Sequence, residues 1–200
     1  MKFLIASDIH GSATWCRRLM EALDSEQPDR LLILGDILYH GPRNDLPEGY
    51  APKEVIAMLN PLASQIIAVR GNCDAEVDQM VLDFPCMADY TTIFDPTVAF
   101  TPQGAPMSCA EDRTEVGRTL FLTHGHVYGA GFHNSVDKLP ELAPGSVLLY
   151  GHTHQKVSEL APSHEGVWAF NPGSVSIPKD GAHSYGIYER GALRHVELAE

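Results

Sequence analysis

The first half of the chain alternates short apolar runs with segments of helical periodicity. Continuous apolar runs at residues 3–6, 31–34 and 66–69 are typical of strands that are buried on both faces. Between them, hydrophobic residues recur at helical spacing, first behind Ser12, a candidate N-cap, and then behind Pro52, which suits a first helical turn. The two stripes consist of Trp15, Leu19 and Leu23, and of Val55, Met58, Leu59 and Leu62.

A third helix is predicted over residues 75–82, with Val77, Met80 and Val81 facing inward. Strands and helices therefore alternate along this half of the chain. That order predicts a parallel sheet with helices on its faces, the arrangement of an α/β protein.

The second half has a different pattern, in which apolar segments are separated mostly by short Gly-rich or polar turns. Strands are predicted at residues 118–123, 147–150, 167–170, 185–189 and 193–198, the last two joined by a hairpin turn. Residues 95–117 have no periodicity and are longer than most connections, which predicts a surface insertion or a flexible flap. We expect a single domain over residues 1–200, with two sheets packed into one α/β sandwich.

Composition and charge narrow the classes of function. The 200 residues are 44% hydrophobic and 20% charged, which suits one compact domain. A net charge of −12 repels polyanions, so no general nucleic-acid binding is expected. No apolar run approaches the ~20 residues that span a membrane. Because the four cysteines form no C-x-x-C pair and the acidic Asp8 follows the first apolar residues too soon for a signal peptide, we expect a cytoplasmic protein.

Polar residues of the kind that bind metals follow each predicted strand of the first half. Asp8 and His10 come after the first strand, Asp36 after the second and Asn72 after the third. The carboxyl ends of the strands in an open α/β sheet face one crevice. These four side chains are therefore expected to converge.

Two pairs of histidines follow strands of the second half. His124 and His126 come after one strand, and His152 and His154 come after the next. Alternate residues of an extended segment point to the same side. Both members of each pair are therefore expected to face one site.

The ligand types indicate a pair of metal ions. Carboxylate, amide and imidazole groups together suit divalent transition metals better than calcium or magnesium. Two ions ~3.5–4 Å apart need a bridging carboxylate, and Asp36, central in the set, is the candidate. Since Asp8 and Asp36 offset only part of the charge of two divalent ions, the local field attracts phosphate although the whole chain is acidic.

Five motifs, in this order, resemble those of the calcineurin-like metallophosphoesterases. They are Asp8-Ile9-His10, Gly35-Asp36, Gly71-Asn72-Cys73-Asp74, His124-Gly125-His126 and Gly151-His152-Thr153-His154. Together they span nearly the whole chain. The segments 40–44, 70–74 and 171–178 are similar to those of the small bacterial YfcE-type phosphodiesterases within this family.

The resemblance implies a four-layer α/β sandwich, two packed sheets flanked by helices, with two divalent metal ions per chain. Mn²⁺ is the metal it favours, with Zn²⁺, Fe²⁺ or Ni²⁺ as alternatives. One ion would be held by Asp8, His10, Asp36 and His154, and the other by Asp36, Asn72, His124 and His152. A hydroxide between the ions would attack the phosphorus of a small phosphodiester substrate.

The chain departs from much of the family at Cys73, where a histidine thought to protonate the leaving group is common. Cys73 and His126 are therefore both candidates for the proton donor or for orienting the substrate. Arg43 and Asn44, in the loop at residues 40–51, are candidate ligands of the substrate phosphate. Asp74 is expected to cap the next helix and to orient a neighbouring ligand.

Two other functions stay open. The same metals can serve a phosphomonoesterase or nucleotide phosphatase, since the difference depends on groups of the pocket. A non-catalytic protein-interaction scaffold of the same superfamily would lack part of the ligand set, whereas every ligand position is filled here. Exposed strands at the edge of the C-terminal sheet suggest a homo-oligomer.

Overall fold

Two five-stranded sheets form the body of a computed structural model, which describes residues 1–100, 115–128, 138–161 and 164–199. The elements of the first half are β1 (Lys2–Ala6), α1 (Ala13–Glu26), β2 (Arg30–Ile33), α2 (Pro52–Leu59), β3 (Ile66–Ala68) and α3 (Glu76–Gln79). Those of the second half are β4 (Tyr90–Phe100), β5 (Glu115–Thr123), β6 (Val147–Leu149), β7 (Lys156–Leu160), β8 (Trp168–Pro172), β9 (Ser184–Glu189) and β10 (Ala192–Glu197).

The first sheet has the order β10-β9-β1-β2-β3. The three strands predicted from the first half are parallel, as expected, while β9 and β10 add an antiparallel hairpin beside β1. At the hairpin turn, Arg190 and Gly191 both have positive φ, as a tight two-residue turn requires. The Ser12 hydroxyl accepts a hydrogen bond from the backbone N–H of Trp15, which confirms the predicted N-cap of α1.

The second sheet has the order β4-β5-β6-β8-β7 and includes two strands absent from the sequence prediction. Both are edge strands: β4 contains Pro96 and a register shift, and β7 is largely exposed, so neither has a clear apolar pattern. Residues 95–100 belong to β4 and residues 115–117 to β5. The insertion predicted at 95–117 is therefore too wide at both ends, and residues 101–114 lie outside the described part of the chain.

The hydrophobic core has three layers. Between the sheets lie apolar side chains that include Phe3, Ile5, Leu32, Leu34, Leu120, Leu122, Leu149 and Phe170. The other face of the first sheet packs against α1 and α2. The outer face of the second sheet is covered, in the described residues, by a segment that contains Leu139 and Leu142. This is the predicted sandwich of two packed sheets with further layers outside them.

The predicted helix over residues 75–82 is wrong in length and in orientation. Only Glu76–Gln79 is helical, and Val77 and Met80 are 63% and 83% exposed. The buried positions are Asp78, whose carboxylate accepts a hydrogen bond from the N–H of Ala75, and Leu82. A single helical turn is too short for a continuous stripe of apolar residues, and here a buried aspartate stabilises it. The spacing of apolar residues therefore could not predict which side of this turn is buried.

Candidate metal centre

Most of the predicted ligands lie in a strained backbone conformation. Of the seven described non-glycine residues with positive φ, five are predicted ligands: Asp8, His10, Asp36, His152 and His154, with φ between 48° and 67°. Residues other than glycine rarely adopt this left-handed backbone conformation. Such strain is concentrated at functional sites. The chain therefore turns sharply after β1, β2 and β6, which aims these side chains into one crevice.

The expected reason why His152 and His154 face one site is wrong. His152 and His154 both line the same pocket, as expected, but not because they alternate along an extended strand. Each has positive φ and lies in a turn after β6. The backbone N–H of His152 donates to Oδ2 of Asp8 at 3.1 Å, which joins this turn to the end of β1.

Three predicted ligands form a first cluster. Nε2 of His154 lies 3.2 Å from Oδ1 of Asp8 and 3.3 Å from Nε2 of His10. Nε2 of His10 is 3.6 Å from the same carboxylate oxygen. Oδ1 of Asp8 is buried and has no hydrogen-bond partner in the described structure.

A second cluster adjoins the first through Asp36. Oδ2 of Asp36 lies 3.7 Å from Nε2 of His10 and 3.4 Å from Nε2 of His124. Oδ1 of Asn72 is 3.0 Å from the same nitrogen of His124. The ring of His152 lies beside that of His124, with centroids 5.1 Å apart. Asp36 thus stands between the two clusters, as a bridging ligand must.

Backbone carbonyls orient the histidine rings. Nδ1 of His10, His124 and His154 lies 2.8, 2.7 and 2.6 Å from the carbonyl oxygens of Tyr39, Leu34 and Ile177, respectively. A carbonyl can only accept, so Nδ1 carries a proton and Nε2 is the nitrogen that faces the centre. Nitrogen and oxygen atoms of the candidate ligands therefore face one another at 3.0–3.7 Å. This donor set fits divalent metal ions, which would take the place of protons between these atoms.

The charges of the centre favour a bound cation. Burial by itself lowers the pKa of His124, but Asp36 and Asp8 outweigh it and raise this pKa to about 10. Burial raises the pKa of Asp36, yet the neighbouring His124, together with His10, lowers it to about 2. The carboxylates therefore stay ionised and hold a proton on Nε2 of His124, which a bound metal ion would displace. Burial and the charge on His124 lower the pKa of His152 to about 4, which keeps this ring neutral, as a metal ligand must be.

Asp74 holds two of the ligand-bearing turns together. Its carboxylate accepts hydrogen bonds from the backbone N–H groups of Asp36, Ile37 and Gly71, at 2.8, 2.8 and 2.7 Å. A Cβ at Gly71 would overlap the Asp36 carboxylate, so only glycine permits this approach. Asp74 therefore orients a neighbouring ligand as predicted, but the predicted cap is wrong because Ala75 occupies the N-cap of α3.

The segment after β8 supports the turn of the second histidine pair. Nδ2 of Asn171 donates to the carbonyl of Gly151 at 2.7 Å and lies 3.0 Å from Oγ1 of Thr153. The hydroxyls of Ser174 and Ser176 both donate to the carbonyl of Asp8 at 3.0 Å. These bonds connect the ends of β1, β6 and β8.

A pocket of about 220 Å³ opens beside the two clusters. It is lined by Arg43, Asn44 and Cys73, which the sequence offered as candidates, and also by Lys179, which gave no signal in the sequence. Burial and the charge of Asp36 raise the pKa of Cys73 far above its usual range, so the thiol keeps its proton.

His126 stands apart from the lining of this pocket. Its ring centroid is 5.4 Å from that of His124 and 6.2 Å from that of His152, and its Nδ1 is buried without a hydrogen-bond partner in the described residues. Burial, followed by the charge on His124, lowers the pKa of His126 to about 4. A ring with so low a pKa is neutral near pH 7 and is a poor proton donor.

Comparison with known proteins identifies the family to which the chain belongs. Residues 1–191 match the model of the calcineurin-like phosphoesterase superfamily domain. The chain belongs to this superfamily. The calcineurin-like phosphoesterases are hydrolases, and membership implies divalent metal ions, for which the two clusters supply groups of ligands.

Individual relatives agree with this assignment to the calcineurin-like phosphoesterases. Phosphodiesterase YfcE of Escherichia coli K12 is 44% identical over 199 residues, which cover 99% of this chain and 92% of the relative. A solved structure of that E. coli phosphoesterase matches with a TM-score of 0.76 and 41% identity over the whole of both chains. An archaeal phosphodiesterase shares the fold, with a TM-score of 0.58 at 21% identity over 99% of this chain and 100% of the other. Within the described residues, no helix is both long and apolar enough to cross a bilayer.

Proposed function

We propose that the protein is a metal-dependent phosphodiesterase that hydrolyses a small phosphodiester at two divalent ions. The observation that carries the proposal is the position of Asp36, whose Oδ2 faces Nε2 of His10 at 3.7 Å and Nε2 of His124 at 3.4 Å. The 44% identity to a phosphodiesterase over almost the whole chain supports a diester as substrate.

The two clusters define a ligand set for each ion. One set consists of Asp8, His10, Asp36 and His154, and the other of Asp36, Asn72, His124 and His152. We propose Mn²⁺ for both, with Zn²⁺, Fe²⁺ and Ni²⁺ as alternatives that suit the same donors. When bound, the ions lower the pKa of water toward neutrality and offset the charge of the phosphate.

We assign the other candidate residues to binding of the substrate phosphate and to protonation of the leaving group. The guanidinium of Arg43 and the amide of Asn44 donate hydrogen bonds to non-bridging oxygens of the phosphate. Cys73 lines the pocket and its thiol is protonated. We therefore assign Cys73 as the donor of the proton that the leaving oxygen takes up. His126 is assigned a supporting role in orienting neighbouring rings, since it is neutral and outside the lining.

Removing the metals is expected to abolish turnover and to lower the melting temperature. Chelator-stripped protein should not hydrolyse the diester bis(p-nitrophenyl) phosphate. Added Mn²⁺ should restore this reaction, at a rate above that for the monoester p-nitrophenyl phosphate. Saturating Mn²⁺ should also raise Tm by roughly 10–20 °C, because each of the two ions at 100 times its Kd stabilises the fold by ~2.7 kcal/mol and each kcal/mol shifts Tm by about 2–4 °C.

Three outcomes would contradict this expectation in different ways. Preference for the monoester after metal addition would favour the phosphatase. Full activity without any metal would exclude a metal-dependent reaction. Absence of turnover and of a Tm shift with Mn²⁺, Zn²⁺, Fe²⁺ and Ni²⁺ would favour the non-catalytic scaffold.

Cys73→His is expected to speed the hydrolysis of diesters that have poor leaving groups. An imidazole gives up its proton near neutral pH, whereas the Cys73 thiol has a raised pKa. Since general acid catalysis contributes ~10²–10⁴-fold, we expect at least ~10-fold faster cleavage of an alkyl diester and little change for p-nitrophenyl diesters. The measurement is the dependence of kcat on leaving-group pKa, and an unchanged slope would remove Cys73 from the proton-donor role.

We also propose a cytoplasmic location, and pairing of β10 edges between subunits as a route to a homo-oligomer. Cys16, Cys73 and Cys86 are free thiols in the described structure, which suits a reducing compartment. Cys109 lies outside the described residues.

A further inference from the structure

Two basic residues line the pocket beside the candidate metal centre. Arg43 belongs to the loop after β2, and Lys179 follows the segment that supports the histidine turn. The backbone N–H of Lys179 donates to the carbonyl of His154 at 2.9 Å, so the lysine is anchored beside a proposed metal ligand. The hydrolytic reaction proposed above does not use Lys179.

Lys179 has no acidic partner within salt-bridge distance in the described part of the chain. Two of the four other lysines do: Lys2 pairs with Glu26 at 2.8 Å, and Lys156 with Asp180 at 3.0 Å. Asp180 directly follows Lys179, yet its carboxylate accepts from the backbone N–H and the Nζ of Lys156. In a chain of net charge −12, a lysine that lines a pocket and has no carboxylate within salt-bridge distance is available to an anionic ligand.

Lys179 lines one pocket with Arg43 and with the candidate metal ligands Asp36 and His154. Burial lowers the pKa of Lys179, the charge of Asp8 raises it, and the charge of Arg43 lowers it. Lys179 is therefore near a carboxylate of the candidate metal centre and near a second cation. Two like charges that repel across a pocket gain when an anion lies between them.

The size and charge of the pocket indicate what that anion belongs to. The pocket volume of about 220 Å³ is below the ~300–1,000 Å³ typical of pockets for drug-sized ligands, which favours a small substrate. A phosphodiester has one negative charge, which the metals, Arg43 and Asn44 already address. We propose that Lys179 binds a second anionic group on one arm of the substrate, so the enzyme selects small phosphodiesters with an additional carboxylate or phosphate.

This inference rests on the proposed phosphodiesterase function, and a matched pair of substrates tests it. p-Nitrophenyl ethyl phosphate and p-nitrophenyl 2-carboxyethyl phosphate have the same leaving group and differ by one carboxylate. With Mn²⁺, the wild type is expected to prefer the carboxylated diester by about tenfold in kcat/KM. Lys179→Met should remove this preference by raising KM for the carboxylated diester, with kcat for the ethyl diester within twofold of wild type.

Two further variants separate a binding role from a structural one. Lys179→Arg keeps the charge and should retain most of the preference. Lys53→Met removes the same charge from an exposed position on α2 that does not line the pocket, and it should behave as wild type. Equal use of both diesters by the wild type, or an equal loss for both in Lys179→Met, would overturn the inference.

A binding experiment keeps this test independent of turnover. Isothermal titration of the Mn²⁺-loaded protein with 2-carboxyethylphosphonate and with ethylphosphonate should show about tenfold tighter binding of the former in the wild type and equal binding in Lys179→Met. If neither diester is hydrolysed with any metal, the proposed function fails. The titration then decides Lys179 alone: a preference lost in Lys179→Met supports the anion site, and no preference in the wild type overturns it.

Discussion

Asp36→Asn is expected to lower kcat for diester hydrolysis by at least ~1,000-fold while the fold is retained. Oδ2 of Asp36 faces both His10 and His124, and an amide offers one neutral oxygen where two cations need a shared charge. Asparagine adopts the left-handed conformation of residue 36, where φ is 55°, more readily than most residues. The amide oxygen can still accept the hydrogen bond from the N–H of Cys73.

Metal content and circular dichroism separate the loss of the centre from the loss of the fold. The variant should bind less than one ion per chain and keep the circular dichroism spectrum of the wild type, while its metal-free melting temperature falls because His124 loses the carboxylate that pairs with it. Asp24→Asn, an exposed change of the same kind on α1, should leave both properties unaltered. His124→Ala has the same expected outcome as Asp36→Asn, and retained turnover in both variants would refute the assignment of two metals.

Asp74→Asn is expected to lower the free energy of unfolding by about 2–4 kcal/mol. The Asp74 carboxylate accepts from three backbone N–H groups, and an asparagine amide presents one acceptor oxygen and an NH₂ group that faces donors. Hydrogen bonds to a charged group contribute ~1.5–3 kcal/mol each, and a buried donor left without a partner costs ~1–3 kcal/mol. The turns after β2 and β3 would separate, so metal affinity should fall as well.

Urea denaturation of the metal-free proteins measures this loss directly. In thermal denaturation of the same proteins, the Tm of Asp74→Asn should be lower than that of the wild type by roughly 5–15 °C. Asp83→Asn, an exposed aspartate in the same region of the chain, is the matched control and should change stability by less than ~0.5 kcal/mol. A similarly small change in Asp74→Asn would show that the three N–H groups find other partners.

Patterns of apolar residues predicted the interior strands and the long helices but missed the sheet edges. β1, β2 and β6 are buried over most of their length, so each has a continuous apolar run. β4 and β7 lie at the edges of the second sheet, where partial exposure permits polar residues. The short α3 was misjudged for a related reason, since tertiary contacts bury Asp78 and leave Met80 exposed.

The types and positions of the candidate ligands could be predicted because strand ends in an α/β sheet converge. Their orientation could not, because it depends on left-handed turns at Asp8, Asp36 and His152, which hydrogen bonds between distant segments stabilise. Lys179 gave no signal for a similar reason. It lies just after residues 171–178, and its N–H donates to the carbonyl of His154, a residue distant along the chain, at 2.9 Å.

The sequence by itself determined the family, the sandwich of two sheets and the identity of the residues that gather at the centre. These properties follow from local apolar runs and from motifs at the strand ends, which a linear chain displays. Only the tertiary structure decided which nitrogen of each ring faces the centre, that Asp36 stands between two clusters, and that Arg43 and Lys179 share one pocket. These properties depend on contacts such as that of His124 with Leu34, between residues far apart along the chain, which local patterns do not encode.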